Sequence, residues 1–356
     1  MTDPGPEAGR GFDEAATPDM DPGTAVGSAP EGSPPRSTSH GLFRFTIDGR
    51  QAPGLFVAGW LATLVGAASG FVGVLAGPSM GGAIIFVAGL AVLFGGLLLL
   101  GGSQVVERRS ARLAYAGPSP ILVFGATIVG LYLAVVIVAI PLQALGISVD
   151  GALLNLLGVV IQAAVVVLIL RLLVVAPGAL SWSDMGLRAS LPAAVRELVW
   201  GAAFALPVIF VTAIVVGLLV SVLGATPESP LPATGTGAGL AVNLLAGAVV
   251  APIYEELLFR GFATTAWARV VAPATAIVRT SVLFALAHVL TQGGDDFGQA
   301  LAVAVVGAAG RLPVALVLGW AFVRRRSLWA AVGLHAAFNA VLLVVAEAAL
   351  GNLPAG

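Results

Sequence analysis

The sequence predicts an all-α fold, a polytopic bundle of about eight to nine transmembrane helices behind a disordered N-terminal tail, and three observations predict it. Hydrophobic residues make up 58% of the 356 residues and charged residues 10%, and the mean hydropathy is +1.01. Both lie well outside the usage of globular domains. The apolar residues fall in runs of roughly 20, the length that crosses about 30 Å of hydrocarbon. The 46 glycines suit helices that must approach closely where burying apolar surface gives little drive. A lipid bilayer is therefore the first expected partner.

Residues 1–45, rich in Pro, Gly, Ser, Asp and Glu, cannot bury enough apolar surface to offset their ordering entropy and are expected to be a disordered cytoplasmic tail. Cysteine is absent, which excludes disulfides, thiol catalysis and cysteine-ligated metals. All 17 basic residues are arginine, and 8 of the 18 acids precede residue 50. Nothing in that balance points to a nucleic-acid partner. The apolar run begins near Gly54, too far in and too long for a secretory signal peptide, and no lipidation motif is present.

Nine apolar stretches follow, near 54–76, 81–101, 121–145, 152–175, 198–223, 237–258, 273–290, 299–323 and 328–350. Arginines mark alternate connections. Arg36, Arg44 and Arg50 precede the first stretch, Arg108, Arg109 and Arg112 follow the second, and Arg188 and Arg196 follow the fourth. Arg260 and Arg269 follow the sixth, and Arg324, Arg325 and Arg326 the eighth. The fifth and seventh stretches end at acids instead, Glu228 and the pair Asp295 and Asp296. Short basic loops stay cytoplasmic, so the N-terminus and the arginine loops are expected on that side. Arg279 interrupts the seventh stretch, which reads as a half-helix or a tilted one. The expected division is 46–235 for N-terminal membrane helices and 236–350 for a separate membrane core.

An ionisable side chain within a span costs at least about 2.5 kcal/mol and usually faces the bundle interior. Glu255 and Glu256 end the sixth stretch, His288 lies late in the seventh, and His335 and Asn339 lie in the first half of the ninth. Helical residues four apart share a face, whereas neighbours are turned by about 100°. Glu256 can therefore pair with Arg260 while Glu255 points elsewhere. Phe284 shares a face with His288, and His335 with Asn339. Pro252 removes a donor to the Ala248 carbonyl and is expected to kink or loosen the helix just before the glutamates, opening a wet pocket.

The stretch Glu255-Glu256-x-x-x-Arg260-Gly261, then Phe284-x-x-x-His288, then His335-x-x-x-Asn339, resembles the three motifs of the CAAX protease and bacteriocin-processing family, also called the Abi family. All three are intact and in order. "LGWAFVRRRSLWAAVGLHAAFNA" has a similar look, and "DMGLRA" at 184–189 bears a fainter resemblance to the family's upstream sequence. The resemblance covers about residues 240–346.

It implies an intramembrane glutamate-dependent endopeptidase acting on a protein or peptide substrate, with no cofactor. Glu255 would be the general base, His288 its partner in holding water, and His335 and Asn339 the oxyanion stabilisers, with Glu256 and Arg260 shaping the site. The chemistry is reasonable without the family, since a carboxylate in low dielectric moves toward the range where a general base works well. Each residue also has a structural reading. Glu256 and Arg260 suit a neutralised pair, Asn339 a helix–helix donor, Phe284 packing, and Arg324 to Arg326 a topology anchor. Arg311, mid-span beside Pro313, is expected to face the cavity and meet a carboxylate.

Two histidines and a glutamate can also ligate zinc, but no HExxH is present and the spacing gives no positive metal signal. A proton-coupled transporter and a non-catalytic scaffold or immunity protein remain the other classes. Depth decides whether the site can form. Counted from Pro273, His288 lies about 22 Å along its helix; counted from Arg279 it lies about 14 Å in and can meet Glu255. The Ala, Gly and Val-heavy, lysine-free usage suggests a GC-rich bacterial source, hence an inner-membrane protein with a leader peptide or small membrane protein as substrate.

Overall fold

The arginine-bearing connections gather at one end of a helical bundle. The computed structural model describes residues 47–351 except 78, 148–150, 189, 228, 230 and 291. The expected tail with Arg36, His40 and Arg44 lies outside the described residues, as do Glu228 and Ala189. Eight helices are long and apolar enough to cross a membrane, a ninth apolar helix is shorter, and there is no strand among the described residues.

The helices are α1 (Pro53–Leu75), α2 (Met80–Ser110), α3 (Pro120–Ala144) and α4 (Ala152–Val175, π-helical over Arg171–Val175). Next, α5 (Leu191–Ala202) and α6 (Ala205–Leu223) together make one span. Then come α7 (Gly237–Ala268), the short α8 (Pro273–Ala287), α9 (Phe297–Arg325) and α10 (Leu328–Gly351). Helix α2 outruns its apolar stretch because Arg108 and Arg109 in its last turn sit where charge meets water and favour the helix C-terminus.

Ion pairs tie the arginine-bearing end together. Arg50 meets Glu107 at 2.6 Å, and Arg269 meets Asp184 at 3.5 Å. Arg325 grips Glu197 with two bonds of 2.7 and 2.6 Å and lies 5.0 Å over the Trp200 ring. Trp200, Phe204 and Trp320 cluster there, as amphipathic rings do at a membrane interface. At the opposite end Glu347 of α10 accepts from the Thr234 amide and hydroxyl, pinning Thr234 to α10.

Helices α1 and α2 form a hairpin whose backbones nearly touch. A methyl group at Gly66 would lie 2.2 Å from the Leu93 amide nitrogen, and one at Gly89 2.4 Å from that of Gly70. Only hydrogen fits. Such contact recovers by close packing what the hydrophobic effect cannot supply in lipid.

The core sits where α7, α8, α9 and α10 meet α4. Phe262, Leu318, Leu328 and Leu334 are fully buried there around two charged residues, Glu256 and Arg260. Pro252 loosens α7 as expected. The backbone widens to π-helical turns over Leu245–Val250, ahead of the proline, and again over Leu257–Thr264. A π segment re-aims the side chains that follow it and is frequent at functional sites.

Candidate active site

Adjacent carboxylates on α7 take different partners. Glu256 is fully buried and accepts from Arg260 Nη1 at 2.9 Å, one turn on. Arg260 Nη2 donates to the Ala315 carbonyl of α9 at 3.1 Å. Its guanidinium carbon lies 4.5 Å from the centre of the Phe284 ring of α8. His335 Nδ1 of α10 is 2.8 Å from the same Glu256 oxygen. One pair of charges thus locks four helices, and each charge is compensated where water is absent.

Glu255 turns the other way, into a partly exposed space. Its Oε2 lies 3.6 Å from His288 Nε2 and 3.9 Å from His335 Nε2. Helix α8 stops at Ala287, so His288 caps its end. The imidazole stacks on Phe284 with ring centres 4.4 Å apart, and Nδ1 lies 2.8 Å from the Phe284 carbonyl. Arg279 is exposed partway along this short helix. The helix runs from Pro273, and at its end His288 meets Glu255.

Hydrogen-bond chemistry fixes the direction of each ring. A carbonyl can only accept, so His288 Nδ1 carries the proton shared with Phe284. A carboxylate paired to arginine also accepts, so His335 Nδ1 donates to Glu256. In a neutral imidazole the other nitrogen then offers a lone pair. Two such nitrogens and Glu255 Oε2, which has no hydrogen-bond partner within the protein, converge on one small space. The gaps of 3.6 and 3.9 Å are too long for direct bonds and suit a bridging donor such as water.

Asn339 Nδ2 donates to the Gly247 carbonyl at 2.8 Å, within the first π-helical stretch of α7. Phe284 is buried and packs against His335, with ring centres 5.8 Å apart, and Phe259, 5.1 Å. The seven candidate site residues therefore lie in one region. Glu255, His288 and His335 converge, and Glu256, Arg260 and Phe284 surround them. Asn339 lies one turn beyond His335 and is engaged with α7.

The expectation that Arg311 meets a carboxylate is corrected. Its Nη1 donates to the Gly307 carbonyl at 2.9 Å, one turn back on α9, and Glu255 acts on it only through space. Glycine leaves its own carbonyl uncovered, so the guanidinium can fold onto it. Sequence reasoning missed Tyr254, whose hydroxyl donates to Gln162 of α4 at 2.8 Å beside Glu255. A polar residue inside the fourth apolar stretch was the available signal. Among the described residues no group of three His, Asp or Glu side chains is arranged to hold a metal ion.

Residues 237–341 match the family model described as type II CAAX prenyl endopeptidase Rce1-like. The Rce1-like region begins with α7, ends within α10 and contains all three motifs that resemble the CAAX protease and Abi family. No curated protein and no solved structure matches the chain. The chain is an integral membrane protein by its eight long apolar helices, and its Rce1-like region holds every residue of the converging set.

Proposed function

We propose that the chain is an intramembrane endopeptidase that hydrolyses a peptide bond with water activated by Glu255. The single observation that carries this reading is the convergence of Glu255 Oε2 with the Nε2 atoms of His288 and His335 at 3.6 and 3.9 Å, three proton acceptors facing one another. Water donates one O–H to Glu255 and the other to His288, which leaves its oxygen lone pair free for a carbonyl. Glu255 removes the proton as the C–O bond forms, then hands it to the nitrogen as the C–N bond breaks. His335, held through Nδ1 by Glu256, walls the third side of the site, and the second amide N–H of Asn339 is a donor for the oxyanion. Glu256 and Arg260 hold His335 and Phe284 in place.

The Rce1-like match over 237–341 supports the reaction class and a division into an N-terminal helical region, 46–235, and a core, 236–350. The clustering of arginines at one end supports a cytoplasmic N-terminus, and arginine-only usage a bacterial inner membrane. Prenylated protein, the substrate in the family's printed name, is a poor fit to that setting. A leader peptide or small membrane protein is the better one.

The test compares wild type with Glu255→Gln, matched for expression, by proteomics of cleaved membrane-peptide termini in the native host. Ends that vanish in the variant are expected. Identical termini, with a phenotype lost on gene deletion but kept in the variant, would favour a non-catalytic scaffold.

A further inference from the structure

Proton acceptors are plentiful in this site, and donors are scarce. A tetrahedral intermediate puts a full negative charge on the former carbonyl oxygen, which requires donors about 2.7 to 3.1 Å away. The Nδ1 protons of His288 and His335 are engaged by Phe284 and Glu256. Asn339 gives one N–H to Gly247 and keeps a single N–H for the oxyanion, too few donors for a full charge, and Arg260 is held by Glu256 and Ala315.

Among the described residues one further cation lies near the right level. Helices α7 and α9 run in the same direction, and the bond from Arg260 to the Ala315 carbonyl sets their register. Glu255 precedes Arg260 by five residues, across the start of the second π-helical stretch, and Arg311 precedes Ala315 by four, about 6 Å, on the same face of α9. Arg311 therefore lies within about a helical turn of the level of Glu255, close enough for the carboxylate to act on it through space. A methyl group at Gly307 would lie 3.4 Å from Arg311 Nη1 and 3.3 Å from Val289 Cγ1. Arg311 Nη1 and the side chain of Val289, the residue that follows His288, thus flank the same face of Gly307. It is half-buried, and Arg324 lies about 20 Å further along α9, so Arg311 is held at mid-membrane depth. A cation there is costly without a function for its charge. One N–H is shared with Gly307, and a planar fork of further donors is left.

We infer that Arg311 is a catalytic residue whose guanidinium donates hydrogen bonds to the oxyanion formed when Glu255-activated water attacks the scissile carbonyl. The carbonyl π pair moves onto oxygen as the C–O bond forms, Arg311 binds that charge while keeping its own protons, and the pair returns as the C–N bond breaks. This rests on the endopeptidase reading above.

The experiment uses full-length protein in liposomes and a synthetic peptide spanning a cleavage site identified from the wild-type and Glu255→Gln termini. If no terminus depends on Glu255, the endopeptidase reading fails at that step and this inference falls with it. Given a substrate, Arg311→Gln is expected to lower kcat about 10²- to 10³-fold with KM changed by less than about two-fold, and Arg311→Lys to lose less. Affinity for a phosphinic isostere of the peptide should fall by the same factor as kcat/KM, while binding of the intact peptide in the Glu255→Gln background stays unchanged. A rise in KM with kcat intact would overturn the assignment. So would a loss confined to peptides with a free C-terminal carboxylate and abolished by amidation. If Arg311→Gln does not fold, Arg311→Lys decides; if neither folds, Arg311 is structural and the assignment is wrong.

Discussion

Glu255 Oε2 and His288 Nε2 face each other at 3.6 Å across the gap between α7 and α8. The imidazole is held from behind by the Phe284 carbonyl and ring, so its free nitrogen is aimed rather than merely nearby. Removing it should cost the proton-transfer geometry and little else. His288→Ala is expected to slow cleavage about 10²- to 10⁴-fold. Its melting temperature in detergent should stay near that of wild type, because the side chain is 25% exposed. Parallel rate and melting measurements check this, and a variant cutting within a few-fold of wild type would return His288 to a packing role.

The buried pair predicts the opposite balance. Glu256 and Arg260 are 0% and 1% exposed, and Glu256 also receives His335. Arg260→Leu leaves a carboxylate stranded in an apolar interior, a loss of about 3 to 5 kcal/mol in comparable buried pairs. The double variant Glu256→Gln with Arg260→Leu should be less destabilised than Arg260→Leu alone. Unfolding in a graded denaturing detergent measures both, and equal destabilisation would show that the charges do not depend on one another.

Residue spacing made much of this legible. Glu256 and Arg260 pair as positions four apart on a helix must, and Phe284 and His288 share a face for the same reason. What stayed hidden depends on backbone acceptors, which carry no sequence signature. The partner of Asn339 is the Gly247 carbonyl, and one partner of Arg260 is the Ala315 carbonyl. Pro252 announced a loosened helix, but where the π turns fall is set by packing on both sides of the proline. Arg311 stood out as an anomaly in the apolar run; its level near Glu255 emerged only from the register of α7 against α9.

The α1–α2 hairpin gives a test of packing that is independent of chemistry. At Gly66 an added methyl group would lie 2.2 Å from backbone nitrogen, whereas at Gly95 nothing lies within 4 Å. Gly66→Ala must spread the two helices, and overpacking of this kind costs about 1 to 3 kcal/mol. Gly95→Ala should be neutral or slightly stabilising, since alanine is the better helix former. Melting curves of the two variants side by side check the contrast, and equal tolerance would mean that the hairpin packs more loosely than its backbones indicate.

Asp184 supplies a pH dependence outside the membrane. The Ser181 amide at 2.9 Å and hydroxyl at 2.7 Å both donate to it. These bonds, with Arg269 and Arg188 nearby, hold its carboxyl below the usual aspartate range. The same turn leads to Gly186, whose carbonyl accepts from Leu328 at the start of α10 at 3.1 Å. A depressed pKa means that the folded state binds the proton less tightly than the unfolded one. The stabilisation is therefore present above the ordinary aspartate value of about 3.9 and is lost as pH falls through the lower folded value. Wild type should outlast Asp184→Asn at about pH 7, and the gap should close below about pH 4 as the carboxyl takes up its proton. Melting both proteins across that range checks the sign, and a gap that widens in acid would refute the stated role of Ser181.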